Sequence, residues 1–174
     1  EGNTETEEKL KKALEKAVLA TPSPGGIPEI VGCSPALVHV RHLVALAARS
    51  DVNVLITGRT GTGKELVARS IHRYSSLSGK PFVGHNCAVT PADLFESQFF
   101  GHLRGAFTGA DRDQVGLLQQ AHGGVLFLDE LASLSLAHQA KLLRVLDDGE
   151  VRPIGASAPR LVSVRFLAAV NLDP

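Results

Sequence analysis

Apolar positions along the chain recur with two periods. Leu37, Val40, Leu43, Val44 and Ala47 fall at helical spacing behind Ser34-Pro35, an N-cap residue followed by a first-turn proline, and predict a helix that ends near Arg49. Residues 51–57, a short β-branched run, predict a buried strand, and residues 64–74 a helix with Leu66, Val67, Ser70 and Ile71 turned inward. Residues 81–86 read as a second strand, weakened by Gly84, and 124–129 as a third, the most apolar. An amphipathic helix over 137–146 and a fourth strand over 162–170 complete the pattern. Strands alternating with helices predict an α/β fold: a parallel sheet joined by right-handed crossovers, with helices on both faces. In such sheets ligands bind at the carboxyl ends of the strands.

Residues 1–20 have a different character. Thr4 and Glu7 have the spacing of a capping box, Glu5/Lys9, Glu7/Lys11 and Glu8/Lys12 are i,i+4 pairs, and Leu10, Ala13, Leu14, Ala17 and Val18 form one narrow apolar stripe. The stripe predicts a short helix packed on a partner helix or on the domain behind it, with a solvated linker helix as the alternative. Pro22, Pro24, Gly25 and Gly26 break any helix, so the expected organisation is a helix or linker over 1–20, a Pro/Gly linker over 21–28 and one α/β domain over 29–174.

Composition changes this picture in four places. The 18 Lys and Arg balance 18 Asp and Glu, which argues against nucleic-acid binding by this stretch, and 44% hydrophobic with 21% charged residues is a globular mixture. No apolar run approaches the roughly 20 residues of a membrane span and no signal peptide is seen, so a cytoplasmic protein without membrane contact is expected. Cys33 and Cys87 allow at most one bridge and read as reduced thiols, Cys87 as a small buried residue, and the seven histidines show no metal-ligand spacing. The chain lacks methionine even at position 1, which suggests a processed chain or a piece of a longer one.

The chemistry is concentrated in two places. Gly58-Arg59-Thr60-Gly61-Thr62-Gly63-Lys64 has the G-x-x-x-x-G-K spacing between a predicted strand and a predicted helix. Its glycines let successive N–H groups point at phosphate oxygens, the helix start adds a positive dipole, and Lys64 supplies a mobile charge for the β and γ phosphates. Glu65 stands where a Ser or Thr commonly touches Mg²⁺, so the metal must lean on the nucleotide, water and another carboxylate. Asp129, at the end of the most apolar strand, suits that Mg²⁺ contact, and Glu130 is placed to orient or deprotonate an attacking water. A strand simply leaving the core for solvent is the alternative for this acid pair taken alone.

Between the two lies Gly105-Ala106-Phe107-Thr108-Gly109-Ala110, an apolar-tipped segment with no period to bury Phe107, whose plainest reading is a surface loop with Phe107 packed back on the core. This hexapeptide resembles the GAFTGA signature of bacterial enhancer-binding proteins, the AAA+ ATPases that activate RNA polymerase carrying sigma-54. Ile30-Val31-Gly32, Gly61-Thr62-Gly63-Lys64-Glu65, Asn86-Cys87-Ala88, Leu126-Phe127-Leu128-Asp129-Glu130, the stretch from Gln139 to Leu146 and Asn171 follow the family pattern in order. The resemblance implies a P-loop NTPase three-layer sandwich that binds ATP and Mg²⁺. It makes the loop around Lys64 Walker A, with Glu65 usual for the family, and Asp129 and Glu130 Walker B. Asn86 becomes the residue that restrains Glu130, Asn171 the γ-phosphate sensor, and Ile30, Val31 and Gly32 the adenine pocket. Residues 105–110 would touch sigma-54 RNA polymerase, supported by a second loop at 149–155.

The same resemblance implies assembly into a ring, a hexamer in the family, and contact with DNA only through a domain outside this chain. Val170 replaces a usual Thr beside the sensor Asn, and His102-Leu103-Arg104 a usual His-Glu-Lys. The family's arginine fingers, each worth about 10³ to 10⁵ in rate, and its helical lid are absent from the sequence, so the chain by itself is expected to hydrolyse ATP weakly or not at all. The alternative is a nucleotide-responsive interaction module without turnover.

Overall fold

A computed structural model describes residues 27–171. The helix expected over residues 1–20 lies outside the described residues. Helix α1 is Pro35–Ala48, capped by Ser34, whose Oγ accepts the Leu37 N–H. Strand β1 (Val54–Thr57), helix α2 (Lys64–Arg73) and strand β2 (Phe82–Asn86) follow. A 3₁₀ turn, Cys87–Val89, leads to helix α3 (Phe95–Phe100), the two-residue strands β3 (Gly101–His102) and β4 (Gln114–Val115), and the single turn α4 (Leu117–Gln120). Strand β5 (Val125–Asp129) and a 3₁₀ turn, Leu131–Ser133, precede helix α5 (Leu136–Asp148), which is capped by Ser135 and stopped by Gly149 in the left-handed conformation. The short strands β6 (Glu150–Val151) and β7 (Arg160–Leu161) pair with each other, and β8 (Arg165–Val170) ends the described fold.

The main sheet is parallel throughout, in the order β1-β8-β5-β2. Its two faces bury different cores because side chains alternate along a strand. Val125 and Phe127 of β5 and Leu167 and Ala169 of β8 pack with Val44 of α1 and Ala68 and Ile71 of α2. Leu126, Leu128 and Phe166 pack on the other face with Phe95 and Phe99 of α3, Leu118 of α4, and Leu142 and Val145 of α5. The expected three layers and parallel sheet are therefore present. Ile27 and Ile30 are already part of the first core.

Three expectations are corrected. Residues 51–57 do not form a buried strand: β1 spans only Val54–Thr57 and is an edge strand whose second face is uncovered, leaving Leu55 59% exposed. Residues 51–53 are tied down by side chains instead, since Arg165 Nε donates to Val52 O at 3.0 Å and Asn53 Oδ1 accepts the Phe166 N–H at 2.9 Å. The fourth strand starts at Arg165 rather than at 162, where that buried guanidinium also ties the end of α1 through Nη2 to Ala47 O at 2.7 Å. Leu66 does not turn into the core but stays partly exposed, lining the cavity that begins at the glycine loop.

The core assignment gives a stability test. Phe99→Ala removes a fully buried ring stacked on Phe95 and lowers the unfolding free energy by about 3–5 kcal/mol, whereas Leu143→Ala, at an exposed position of α5, changes it by less than about 0.5 kcal/mol. Urea denaturation of the two variants measures the contrast.

Candidate functional site

The register of the ladder determines which side chains meet. Asn86 pairs with Asp129 across β2 and β5, Leu128 pairs with Ala168 across β5 and β8, and Val170 pairs with Thr57 across β8 and β1. All four strands thus end on one edge, with Asn86, Asp129, Asn171 and Gly58 side by side. The period of two also sets their face. Asp129 continues the series Val125, Phe127, and Asn171 the series Leu167, Ala169, so both lie on the face covered by α1 and α2. Asn171 Nδ2 donates to Thr60 Oγ1 at 3.1 Å, tying the end of β8 to the glycine loop.

The loop itself has the geometry of a phosphate cradle. Gly61 and Gly63 have φ of +80° and +85°, conformations that side chains strain to adopt, and Gly63 opens α2. A side chain at Gly58 would put its Cβ 2.9 Å from Thr62 Oγ1 and so displace the Thr62 hydroxyl from its bond to Arg59 O. The first N–H groups of α2 lack carbonyls one turn behind and form the positive end of its dipole. Lys64 Nζ folds over the loop and donates to Gly58 O at 2.9 Å and Arg59 O at 3.0 Å. Glu65 points away, in a two-pronged ion pair with Arg69 at 2.9 and 2.7 Å.

The carboxylates leave β5 with unusual backbone geometry. Glu130 has φ 53° and ψ 43°, the one left-handed non-glycine residue described, a strained conformation that concentrates at functional sites. Asp129 Oδ1 accepts the Glu130 N–H at 2.9 Å, which holds the two acids in a fixed relation. Asn86 stands next to Asp129 but its Oδ1 accepts the Ala88 N–H at 2.9 Å, starting the 3₁₀ turn, and no hydrogen bond from Asn86 to Glu130 is present among the described residues. Cys87 lies beneath this group. Burial pushes its thiol pKa up to about 12, with Asp129 and Glu130 adding to the shift.

From Gly58, Gly63 and Lys64 a cavity of about 610 Å³ runs to an apolar end formed by Ile30, Val31, Leu37, Val40, Leu43 and Val44. A second cleft, about 360 Å³ and lined by charged residues such as Glu96, Lys141 and Arg144, lies away from the glycine loop. Ile30 and Val31 line the larger cavity as expected. Gly32 does not; its φ of +134° lets the chain close over Leu37, and its carbonyl accepts Arg41 Nη1 at 2.7 Å. The same nitrogen donates to Ile30 O at 2.9 Å, while Glu29 pairs with Arg73 of α2 at 2.5 Å. These anchors hold the segment over the cavity mouth. An apolar slot leading to a backbone cradle with a lysine fits a nucleotide: a base in the slot, phosphates at the loop. Thr62 Oγ1 donates to Arg59 O and Glu65 is paired, so among the loop and strand-end groups Asp129 and Glu130 are the carboxylates that could hold Mg²⁺ beside the phosphates.

The segment 105–110 is a compact turn. The Gly105 N–H donates to Ala110 O at 2.8 Å, the Ala110 N–H to Phe107 O at 3.0 Å, and Ala110 is buried. Thr108 and Gly109 are exposed, while Phe107 is 43% exposed and leans on the ring of His102. Below it lies the second loop, where the Ile154 N–H donates to Gly101 O at 2.9 Å and the Leu103 N–H to Ile154 O at 3.0 Å. A side chain at Gly155 would approach Ala106 Cβ to 2.9 Å. The contacts of Arg41, His102 and Ser97 are not legible in the sequence, because their partners are backbone carbonyls, a hydroxyl and rings brought close only by the fold.

The family model described as Sigma-54 interaction domain matches residues 30–174. Over 146 residues the chain is 50% identical to the anaerobic nitric oxide reductase transcription regulator NorR of Aeromonas hydrophila subsp. hydrophila, covering 84% of this chain and 29% of that protein. It is 48% identical over 145 residues to the NorR of Escherichia coli O1:K1 / APEC, covering 83% and 29%. Among solved structures, NtrX from Brucella abortus in complex with ATP superposes with a TM-score of 0.75 at 34% identity, covering 95% of this chain and 36% of that one. The chain thus spans about a third of the length of these relatives.

The two thiols give a test of the site's burial. Exposed Cys33 reacts with a thiol-specific reagent at pH 8 in the native protein and Cys87 does not, so labelling counts one thiol per native chain and two after denaturation. Because the folded pKa of Cys87 lies above the unfolded value, the folded state holds the proton longer, and its contribution to stability falls as pH rises from about 9 towards 12.

Proposed function

The chain belongs to the sigma-54 interaction domain family, and on that premise we propose that residues 29–174 are the nucleotide-driven core of a cytoplasmic sigma-54-dependent transcriptional activator. In this reading ATP binds with its base in the apolar slot beside Ile30 and Val31 and its phosphates on the loop from Gly58 to Lys64. The observation that carries it is the common edge: the glycine loop, Asp129, Glu130 and Asn171 meet at the carboxyl ends of one parallel ladder, the ligand position in such sheets.

The residues divide the work. The loop N–H groups, the α2 dipole and Lys64 bind and orient the phosphates, with Lys64 Nζ exchanging loop carbonyls for phosphate oxygens. Asp129 would hold Mg²⁺, which when bound neutralises charge on the phosphates. Glu130, turned out of the strand by its left-handed backbone, accepts the proton of the attacking water. Asn171 and Thr60 connect the γ-phosphate end of the site to β8, and Asn86 restrains Glu130 only if its amide leaves the Ala88 N–H. Phe107 and Thr108 contact the sigma-54 polymerase, and turnover belongs to a ring of complete subunits, with DNA bound by a separate domain.

Lys64→Ala weakens ATP binding by at least about tenfold, read by calorimetric titration; unchanged affinity removes the loop from its role. In the full-length protein, Glu130→Gln keeps ATP affinity within about twofold and lowers turnover by two or more orders of magnitude. Wild-type turnover per subunit that climbs with protein concentration supports the ring enzyme, whereas binding with flat, negligible turnover supports a nucleotide-responsive module.

A further inference from the structure

His102 is a buried histidine with no part in the nucleotide site. Both it and Ser97 are 7% exposed, and His102 Nδ1 shares a hydrogen bond of 2.8 Å with Ser97 Oγ of α3. Its backbone is held from two sides, by the antiparallel pair with Gln114 and by the parallel bridge to Ile154 of the second loop. With backbone and one ring nitrogen fixed, the ring has a single orientation. Phe107 packs against it edge-on, with ring centroids 5.0 Å apart and an interplanar angle of 68°. Among the described residues His102 is the one aromatic neighbour of Phe107, whose ring is otherwise half exposed.

We infer that His102 is a positioning residue that holds Phe107, and with it the 105–110 turn, down on the second loop. A leucine could fill the buried space, but only a ring with a hydrogen-bonding nitrogen both satisfies the Ser97 hydroxyl and presents a flat aromatic surface in a fixed direction. The arrangement also has an input. Ile154 follows directly from α5 through Gly149 and β6, and α5 follows the turn after Glu130, so a shift of α5 moves the backbone partner of His102. The aromatic contact is small enough to be broken: losing it shifts the balance between the lowered and the released turn by roughly two- to tenfold. Whether release exposes Phe107 to sigma-54 rests on the proposed function above; the latch itself does not.

The chain contains no tryptophan, so Phe107→Trp places a single reporter on the turn. In that background His102→Ala lowers the emission anisotropy and raises the acrylamide quenching constant by about twofold, Ser97→Ala does the same in part, and His102→Phe, which returns a ring without the Ser97 bond, recovers both to about the Ser97→Ala level. Unchanged anisotropy and quenching in a His102→Ala protein with a native circular dichroism spectrum overturn the latch. If His102→Ala does not fold, Ser97→Ala decides alone, and an unchanged signal there overturns it. In the full-length protein with ADP, His102→Ala in the Phe107 background raises retention of purified sigma-54 by two- to tenfold. A changed tryptophan signal without changed retention leaves the latch standing and sinks the partner role of the turn.

Discussion

The in-register parallel pairing of β5 with β2 on one side and β8 on the other is the constraint on which the rest of the molecule depends. A strand's side chains alternate, so a slip of one residue would carry Asp129 and Asn171 from the face of the glycine loop to the opposite face. Both faces of β5 are buried, Val125 and Phe127 in one core and Leu126 and Leu128 in the other, so any slip would exchange two packed sets of unequal shape. The hydrophobic pattern thereby sets the relative heights of Asn86, Asp129, Asn171 and Gly58 without a direct contact among most of them. Gly124 adds a steric stop at the other end, because a side chain there would run into the Pro81 carbonyl, whose oxygen accepts the Val125 N–H at 2.8 Å.

The sheet separates two tasks. The face under α1 and α2 holds the cavity, the cradle and the strand-end polar groups, while the face under α3, α4 and α5 carries the 105–110 turn and its supporting loop. Only a few residues belong to both. Glu130 is the main one, since its left-handed backbone ends the strand on one side and starts the 3₁₀ turn into α5 on the other. A change of hydrogen bonding at Asp129 and Glu130 therefore has a short covalent route to α5, and α5 is tied to α3 by the Lys141–Glu96 pair. That pair is exposed and contributes little stability, so it steers the two helices more than it binds them together.

Much of this was legible in the sequence, and the failures have identifiable causes. Periodicity gave the α/β alternation, the glycine spacing gave the cradle, and the run from Val125 to Asp129 gave the central strand, because each signal is local. β1 is less buried than its sequence suggests because a β-branched run says that a strand exists, not whether another strand and a second layer of helices flank it. Leu66 departs from expectation for a related reason: helical spacing defines a face, but the sheet covers a narrower stripe of α2, centred on Ala68 and Ile71, and leaves Leu66 at the cavity. Strand ends are not legible where distant side chains replace ladder bonds, as Asn53 and Arg165 do. Asn86, Arg41 and His102 were visible as residues, yet what each one touches depends on partners that only the fold brings near.

The strain at Glu130 and the self-satisfied Lys64 point the same way energetically. Lys64 already makes two hydrogen bonds to loop carbonyls, so a phosphate gains only the difference between charge-assisted bonds and these. The binding energy of the proposed nucleotide must then come largely from the apolar slot and the loop N–H groups, which are formed in advance by glycines 58, 61 and 63. On the proposed reading such a site would discriminate weakly between nucleotides that share base and proximal phosphates, and discrimination of the γ phosphate would fall to the strand-end groups: Asn171 held by Thr60, and the Asp129–Glu130 pair. Those groups stand at or just past the ends of β8 and β5, the two strands of the ladder that are paired on both sides, so on the proposed reading a change at the terminal phosphate would act first on the centre of the sheet. A close-packed sheet would pass a displacement on rather than absorb it, and on the proposed reading the 105–110 turn, joined to the fold through the short β3–β4 pair and the bridge to Ile154, would be the element to respond.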